Sequence, residues 1–281
     1  MTFPPRAGPA ARGFLAGFGE IVVLVSVPSV VVHRNADVLA KAVAARIITR
    51  LVDVQSAKGS ASIVLTGGTV GIATLAAIAA TPARDAVDWR RLDVWWGDER
   101  FVPTGDKERN ETGAREALLD HVDLDPERVH VMRGPDSGMT AEESADSYAA
   151  ELRKAARPED HGPVPSFDVM LLGMGPDSHV ASLFPGMPAL YDTRPVVAVH
   201  GSPKPPPTRM SLTLPAIQAA REVWVVAAGE EKAGAVRLAL SDSGPVQVPA
   251  AGARGRARTL FLLDRAAAGK IPPGLGRMAS P

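Results

Sequence analysis

The chain has 281 residues, 46% hydrophobic and 22% charged, the balance of a globular protein able to bury a sizeable core. Lys plus Arg and Asp plus Glu both number 31, so the basic excess typical of a nucleic-acid-binding protein is missing. There is no cysteine, and none of the 6 histidines has the spacing of a zinc-binding helix. Disulfides, thiolate nucleophiles and Cys-ligated metals are excluded, and a metal site has no support.

In chain order, Arg6 and Arg12 precede an apolar stretch, 13–32, with some features of a signal peptide. Glu20 and Pro28 interrupt it, no small-residue cleavage site stands out, and it runs straight into a strand pattern. Residues 1–28 therefore read as an extension, either disordered or the result of a start assigned too far upstream. No other segment approaches the length of a membrane span.

From Ser29 onward strands and helices alternate. Ser29–His33 is a β-branched run, and Asn35 or Asp37 caps a helix whose apolar residues Leu39, Val43, Ile47 and Leu51 recur every four positions. Ser62–Thr66 reads as a buried strand, followed by a Gly67-Gly68-Thr69 turn and a helix to about Ala79. Leu92–Trp96 is a further strand, then come a polar loop, a helix near Glu108–Leu119, a short strand at Val129–Met132 and a helix at Ala141–Ala156. Phe167–Leu172 is the most apolar strand. Pro195–Val199, Arg209–Leu214, Glu222–Ala228 and Thr259–Leu263 complete the strands, with helices at Glu231–Leu240 and around Asp264–Ala268.

Solid apolar strands alternating with helices predict a Rossmann-like α/β fold: a mainly parallel sheet covered by helices on both faces. A single domain over 29–272 and a tail over 273–281 are expected. Ligands of such sheets sit at the carboxyl ends of the strands, and four polar clusters follow strands here.

Thr66-Gly67-Gly68-Thr69 opens a helix with free N–H groups, which suits a phosphate, although a plain capped turn explains the same residues. Asp98-Glu99-Arg100 follows Leu92–Trp96, either as a site or as a solvated loop with an internal salt bridge. Gly173 to Gly186 carries Asp177 and His179 on a glycine-rich turn. An imidazole oriented by a carboxylate can take a proton from water, and a histidine bonded to a loop carbonyl is the simpler alternative. Ser178 and Ser182 lie outside any GxSxG elbow. Arg209 and Lys232 each follow a sheet element and are either solvated or convergent on an anion. Trp95 and Trp96 read as sugar-stacking or core residues, and Arg254, Arg256 and Arg258 as solubilising or RNA-contacting ones.

Taken together, the TGGT turn, DERFVP, GMGPDSHVASLFPG, SPKPPPTRMSLT, the GEEK turn and VPAAGARG, in that order, resemble the 6-phosphogluconolactonases. The resemblance spans about Val30 to Ala268. It implies hydrolysis of 6-phospho-D-glucono-1,5-lactone in the pentose phosphate pathway, without cofactor or metal, by a cytoplasmic monomer or weak homodimer that binds neither nucleic acid nor membrane. It also implies roles: His179 as general base, Asp177 as its orienting partner, and Arg100 as donor to the developing oxyanion. Gly67, Gly68, Thr69, Asp98, Arg209 and Lys232 would hold the substrate and its phosphate.

One departure stands out. The family reads Asp-Gly-His-Thr where this chain has Asp177-Ser178-His179-Val180. If that glycine is left-handed, Ser178 costs on the order of 1 kcal/mol. Glucosamine-6-phosphate deaminases are similar in fold, but their DEY and AFNEP segments differ from the DER and ASLFP found here. A phosphosugar-sensing regulator would normally carry a DNA-binding helix-turn-helix ahead of the domain, a pattern absent from residues 1–28; a non-catalytic phosphosugar-binding protein stays the alternative because of Ser178.

Overall fold

The computed structural model describes residues 25–279; most of the expected extension, residues 1–24, lies outside them. β1 (Pro28–His33) leads into α1 (Ala36–Lys58). The Asn35 side chain accepts the Val38 N–H at its start, and Gly59, at φ 83°, ends it in the left-handed conformation that glycine adopts freely. Then come β2 (Ala61–Leu65), α2 (Gly68–Ala80), β3 (Leu92–Trp96), β4 (Asp98–Arg100), α3 (Asn110–Ala117), α4 (Ala141–Ala155), β5 (Val169–Gly173), β6 (Val196–Val199) and β7 (Arg209–Leu212). The chain continues through α5 (Leu214–Gln218), β8 (Glu222–Ala227), α6 (Ala233–Ala239), α7 (Pro249–Gly252), β9 (Arg258–Asp264) and β10 (Gly276–Met278).

Seven strands form an all-parallel sheet in the order β10-β1-β9-β8-β5-β2-β3. The middles of its central strands are apolar because both faces are covered. Successive side chains point to opposite faces. Ile63, Leu65, Val94 and Trp96 therefore join Leu39, Val43, Ile47 and Leu75 of α1 and α2. Val64 and Trp95 join Tyr148 and Leu152 of α4 on the other face. Both tryptophans are 1% exposed, so they are core rather than sugar platforms.

Four features depart from the sequence reading. The polar segment Asp98–Arg100 is a strand, β4, which pairs antiparallel with β7; β6 completes this second, three-stranded sheet. Residues 129–132 contribute only a single bridge, Val129 to Val94. There the Tyr148 hydroxyl donates to the Trp96 carbonyl (3.2 Å) and accepts its N–H (2.8 Å), satisfying edge groups that a neighbouring strand would otherwise bond. Residues 265–268 form turns instead of a helix: the Asp264 carboxylate caps the first turn by accepting the Ala267 N–H (2.8 Å), but Gly269 and Pro272-Pro273 follow too soon for the turn to propagate. The expected tail 273–281 is partly structural: β10 lies parallel to β1 and covers its outer edge.

The arginines of the 254–258 loop are likewise structural in part. Arg254 donates to the Ala239 carbonyl (3.1 Å) and lies over the Phe261 ring, and Arg256 donates to the Asp160 carbonyl (3.2 Å). Among the described residues no helix is long and apolar enough to cross a membrane.

Candidate active site

The second sheet is joined to the carboxyl ends of β2 and β3 through Gly97, whose N–H donates to the Leu65 carbonyl (3.1 Å) and whose carbonyl accepts the Leu212 N–H of β7 (2.8 Å). At the end of β2 the Thr66 hydroxyl accepts the Gly173 N–H (3.1 Å), tying two strand ends together. Gly67 caps α2 without a side-chain hydrogen bond, so the first-turn N–H groups around Gly68 and Thr69 remain open to an anion at the positive end of the helix dipole. Gly67 has to be glycine, because a methyl there would overlap the Asn110 side-chain oxygen.

β4 alternates its side chains between two buried environments. Glu99, 1% exposed, accepts the backbone N–H groups of Arg100 (2.8 Å), Asn110 (2.7 Å) and Glu111 (2.8 Å), and Arg109 stands 3.8 Å away. Burial pushes the Glu99 carboxyl up to about 7, while Arg109 and the N–H donors pull against it. A carboxylate at a helix N-terminus is electrostatically favoured, and here it comes from the sheet and fixes α3. Asp98 faces the other way. One of its oxygens accepts the Ser182 hydroxyl (2.7 Å), and the Asn110 amide donates to its carbonyl (2.9 Å) and to its second carboxylate oxygen (3.2 Å). Asp98 is thus a buried support for the site. Arg100 donates to the Glu108 carbonyl, while its Nε has no protein partner.

The turn after β5 carries the reactive pair. The Gly175 N–H donates to the His179 carbonyl (3.0 Å) and closes a loop that brings Asp177 Oδ1 to 2.6 Å from His179 Nδ1. With the carboxylate accepting at Nδ1, that nitrogen carries the proton and Nε2 is left as an acceptor. The Phe184 ring packs 4.5 Å from the imidazole. Burial holds the His179 pKa below its ordinary value, against the raising effect of Asp177, and Lys204 adds to the lowering. Asp177 sits below the usual carboxylate range: burial opposes this, but the His179 hydrogen bond and the charge of Lys204 outweigh it. A neutral ring beside an ionised acid is the resting state at neutral pH.

Gly175 is buried, and a methyl on it would overlap both His179 Nδ1 and Asp177 Oδ1. Ser178, in contrast, occupies the left-handed region at φ 69°, where an L side chain crowds its own backbone. Ser178→Gly is expected to stabilise the fold by about 1 kcal/mol, raising Tm by about 2–4 °C in calorimetry. An unchanged or lower Tm would show that the serine hydroxyl compensates for the strain.

Arg209 is 4% exposed, and it gathers the carbonyls of Lys204, Pro205 and Pro206, each at 3.1 Å, with the Ser182 hydroxyl at 3.5 Å. These bonds fold the proline-rich loop over the site, so Arg209 positions Lys204 and has few donors left for a ligand. Lys232 lies close enough to Lys204 and Asp177 to feel both charges. Burial lowers its pKa first and Lys204 second, against Glu231 and Asp177. Neither lysine forms an ion pair among the described residues. The structure thus brings together His179, Asp177 and Lys232 of the sequence reading and adds Lys204 and Asn110, which that reading missed, while Ser182, weighed there as a nucleophile, instead donates to Asp98. Lys204 had a visible signal, since it lies inside the SPKPPPTRM segment. Asn110, ten positions past the end of the Asp98-Glu99-Arg100 cluster, had none.

A parallel sheet with a glycine-opened helix and a carboxylate–imidazole pair at its strand ends, and two nearby lysines without an ion pair among the described residues, describes an enzyme acting on a small anionic, sugar-sized substrate. The chain belongs to the glucosamine-6-phosphate isomerase/6-phosphogluconolactonase family, whose model matches residues 34–262. It is 62% identical to the 6-phosphogluconolactonase of Streptomyces coelicolor, over 90% of this chain and 98% of that one. It is 47% identical to the 6-phosphogluconolactonase of Mycobacterium tuberculosis, over 87% of this chain and 98% of the other. Among solved structures, the 6-phosphogluconolactonase from Trypanosoma brucei superposes with a TM-score of 0.73 at 31% identity, covering 87% of this chain and 99% of that one.

Proposed function

We propose that this protein hydrolyses 6-phospho-D-glucono-1,5-lactone to 6-phospho-D-gluconate, the lactone-opening step of the oxidative pentose phosphate pathway. The observation that carries the reading is the Asp177–His179 pair at 2.6 Å, with a neutral imidazole beside two unpaired lysines. His179 Nε2 takes a proton from water as the water oxygen bonds to C1 of the lactone. Charge builds on the carbonyl oxygen, and the Arg100 guanidinium is the candidate donor; such donors are worth about 3–4 kcal/mol. The tetrahedral intermediate then expels the ring oxygen, which receives the proton from His179, and the new acid ionises. Asp177 stabilises the transient imidazolium. The phosphate rests on the N–H groups of Gly67, Gly68 and Thr69, with Lys204 and Lys232 supplying charge. The protein acts without cofactor or metal, in the cytoplasm, as a monomer or weak homodimer that engages neither nucleic acid nor membrane.

Charge-assisted hydrogen bonds are worth about 1.5–3 kcal/mol, so Lys204→Ala or Lys232→Ala should raise KM about tenfold or more. In steady-state assays kcat should change far less. Equal loss in kcat and kcat/KM would place that lysine on the transition state rather than on the phosphate.

The pH dependence follows from the direction of the His179 shift. The base must be neutral to act, and its pKa is held below 6.5 by burial, so kcat/KM should be flat through neutrality and fall only below that value. Asp177 raises the His179 pKa. Asp177→Asn should therefore lower the plateau and move the acid limb to still lower pH. A limb that moved upward would contradict the pairing.

The direct test generates the lactone in situ with glucose-6-phosphate dehydrogenase and follows its decay with and without the protein. Accelerated decay is expected, with no ammonia released from glucosamine 6-phosphate. Ammonia release without lactone hydrolysis would reassign the chain to the deaminase branch.

A further inference from the structure

Three polar residues connect the phosphate turn to the catalytic loop without touching the proposed reacting atoms. Asn110 presses its side-chain oxygen against Gly67. Its amide donates to the Asp98 carbonyl (2.9 Å) and lies 3.2 Å from the Asp98 carboxylate. That carboxylate accepts the Ser182 hydroxyl (2.7 Å), and Ser182 lies three residues beyond His179 in the same loop. The Ser182 N–H is itself fixed by the Ser211 hydroxyl (3.1 Å). Asn110 is 5% exposed, Asp98 6% and Ser182 0%. Water therefore cannot easily replace any member, and a gap would leave a buried polar group unpaired.

We propose that the Asn110–Asp98–Ser182 chain is a spacer that fixes the distance between the phosphate cradle and His179, and so matches the site to the span from phosphate to lactone carbonyl. Asn110 and Ser182 are positioning residues in this scheme. The inference rests on the lactonase reading, because only a substrate held at both ends makes the spacing matter. A misplacement of about 1 Å can cost about a hundredfold in rate, so weakening the spacer should lower kcat while leaving each end of the site working by itself.

Asn110→Ala and Ser182→Ala test this with three readouts. These are kcat on enzymatically generated lactone, the inhibition constant of inorganic phosphate, and the His179 pKa followed by NMR. The expected result is a fall in kcat of about 10- to 100-fold, with the phosphate inhibition constant within about threefold of wild type and an unmoved His179 titration. Ser182→Ala removes one hydroxyl, so it keeps the test decisive if Asn110→Ala fails to fold. Two results would overturn the spacer: kcat within about threefold of wild type, or a phosphate inhibition constant that rises in step with the loss of kcat. The second would mean local damage to the cradle. A wild-type protein that neither opens the lactone nor is inhibited by phosphate would instead overturn the functional reading beneath it.

Discussion

Gly175→Ala is expected to reduce kcat by at least about a hundredfold, even though residue 175 has no side chain and contributes no chemistry. The added methyl would occupy the space of both His179 Nδ1 and Asp177 Oδ1. The two partners now 2.6 Å apart must separate, or the loop closed by the Gly175–His179 backbone bond must open. Either movement releases the imidazole from its tautomer and its aim. The cost in stability is smaller, about 1–3 kcal/mol for overpacking one methyl, because the strained segment is a single turn and not a layer of the core. Stopped-flow or coupled assays on a variant with a near-native melting curve check the prediction. Wild-type turnover would show that the loop adapts and that the tight pairing is unnecessary.

His179→Ala should lower kcat by about 10²- to 10⁴-fold, the usual contribution of a general base. The phosphate turn and both lysines are untouched by this change, so the affinity for 6-phosphogluconate should stay within a few-fold of wild type in calorimetric titration. Residual activity above the uncatalysed rate is expected from the donors and positioning that remain. Removal of the imidazole also leaves Asp177 without its partner, and its carboxyl, now held below the usual range, should rise toward ordinary values. A variant that lost product affinity in proportion to kcat would identify His179 as a binding residue instead.

Much of the architecture was legible because the physics is local. Ala61–Leu65, Leu92–Trp96 and Val169–Gly173 are runs of buried apolar residues. Such runs have no stable place except inside a sheet covered on both faces. Asn35 announced a helix start through a side chain that accepts a first-turn N–H. The Asp177–His179 pairing was likewise readable, since two residues apart on a glycine turn is enough to bring their side chains together.

What stayed hidden depends on partners distant in sequence. Asp98-Glu99-Arg100 reads as a polar loop, either a site or solvated with an internal salt bridge, and not as a strand, because no apolar pattern runs through it. The strand exists because α3, Asn110, Arg109 and Ser182 supply the donors that make its burial tolerable. The scaffold role of Arg209 was hidden in the same way: its three carbonyl acceptors lie in a proline-rich loop whose path no local pattern specifies. Met132 sits in the core at 1% exposure, which explains the apolar character of 129–132 without any ladder. Ser178 was visible as a departure from the family pattern, and the structure adds its φ of 69°.

A crystal structure with 6-phosphogluconate bound tests most directly whether this imidazole acts on a substrate tethered by its phosphate. The phosphate should lie on the Gly67–Thr69 turn between Lys204 and Lys232, with a carboxylate oxygen about 2.6–3.2 Å from His179 Nε2, directly or through one water. A ligand bound the other way round, or an imidazole turned away from the carboxylate with no solvent between them, would contradict it.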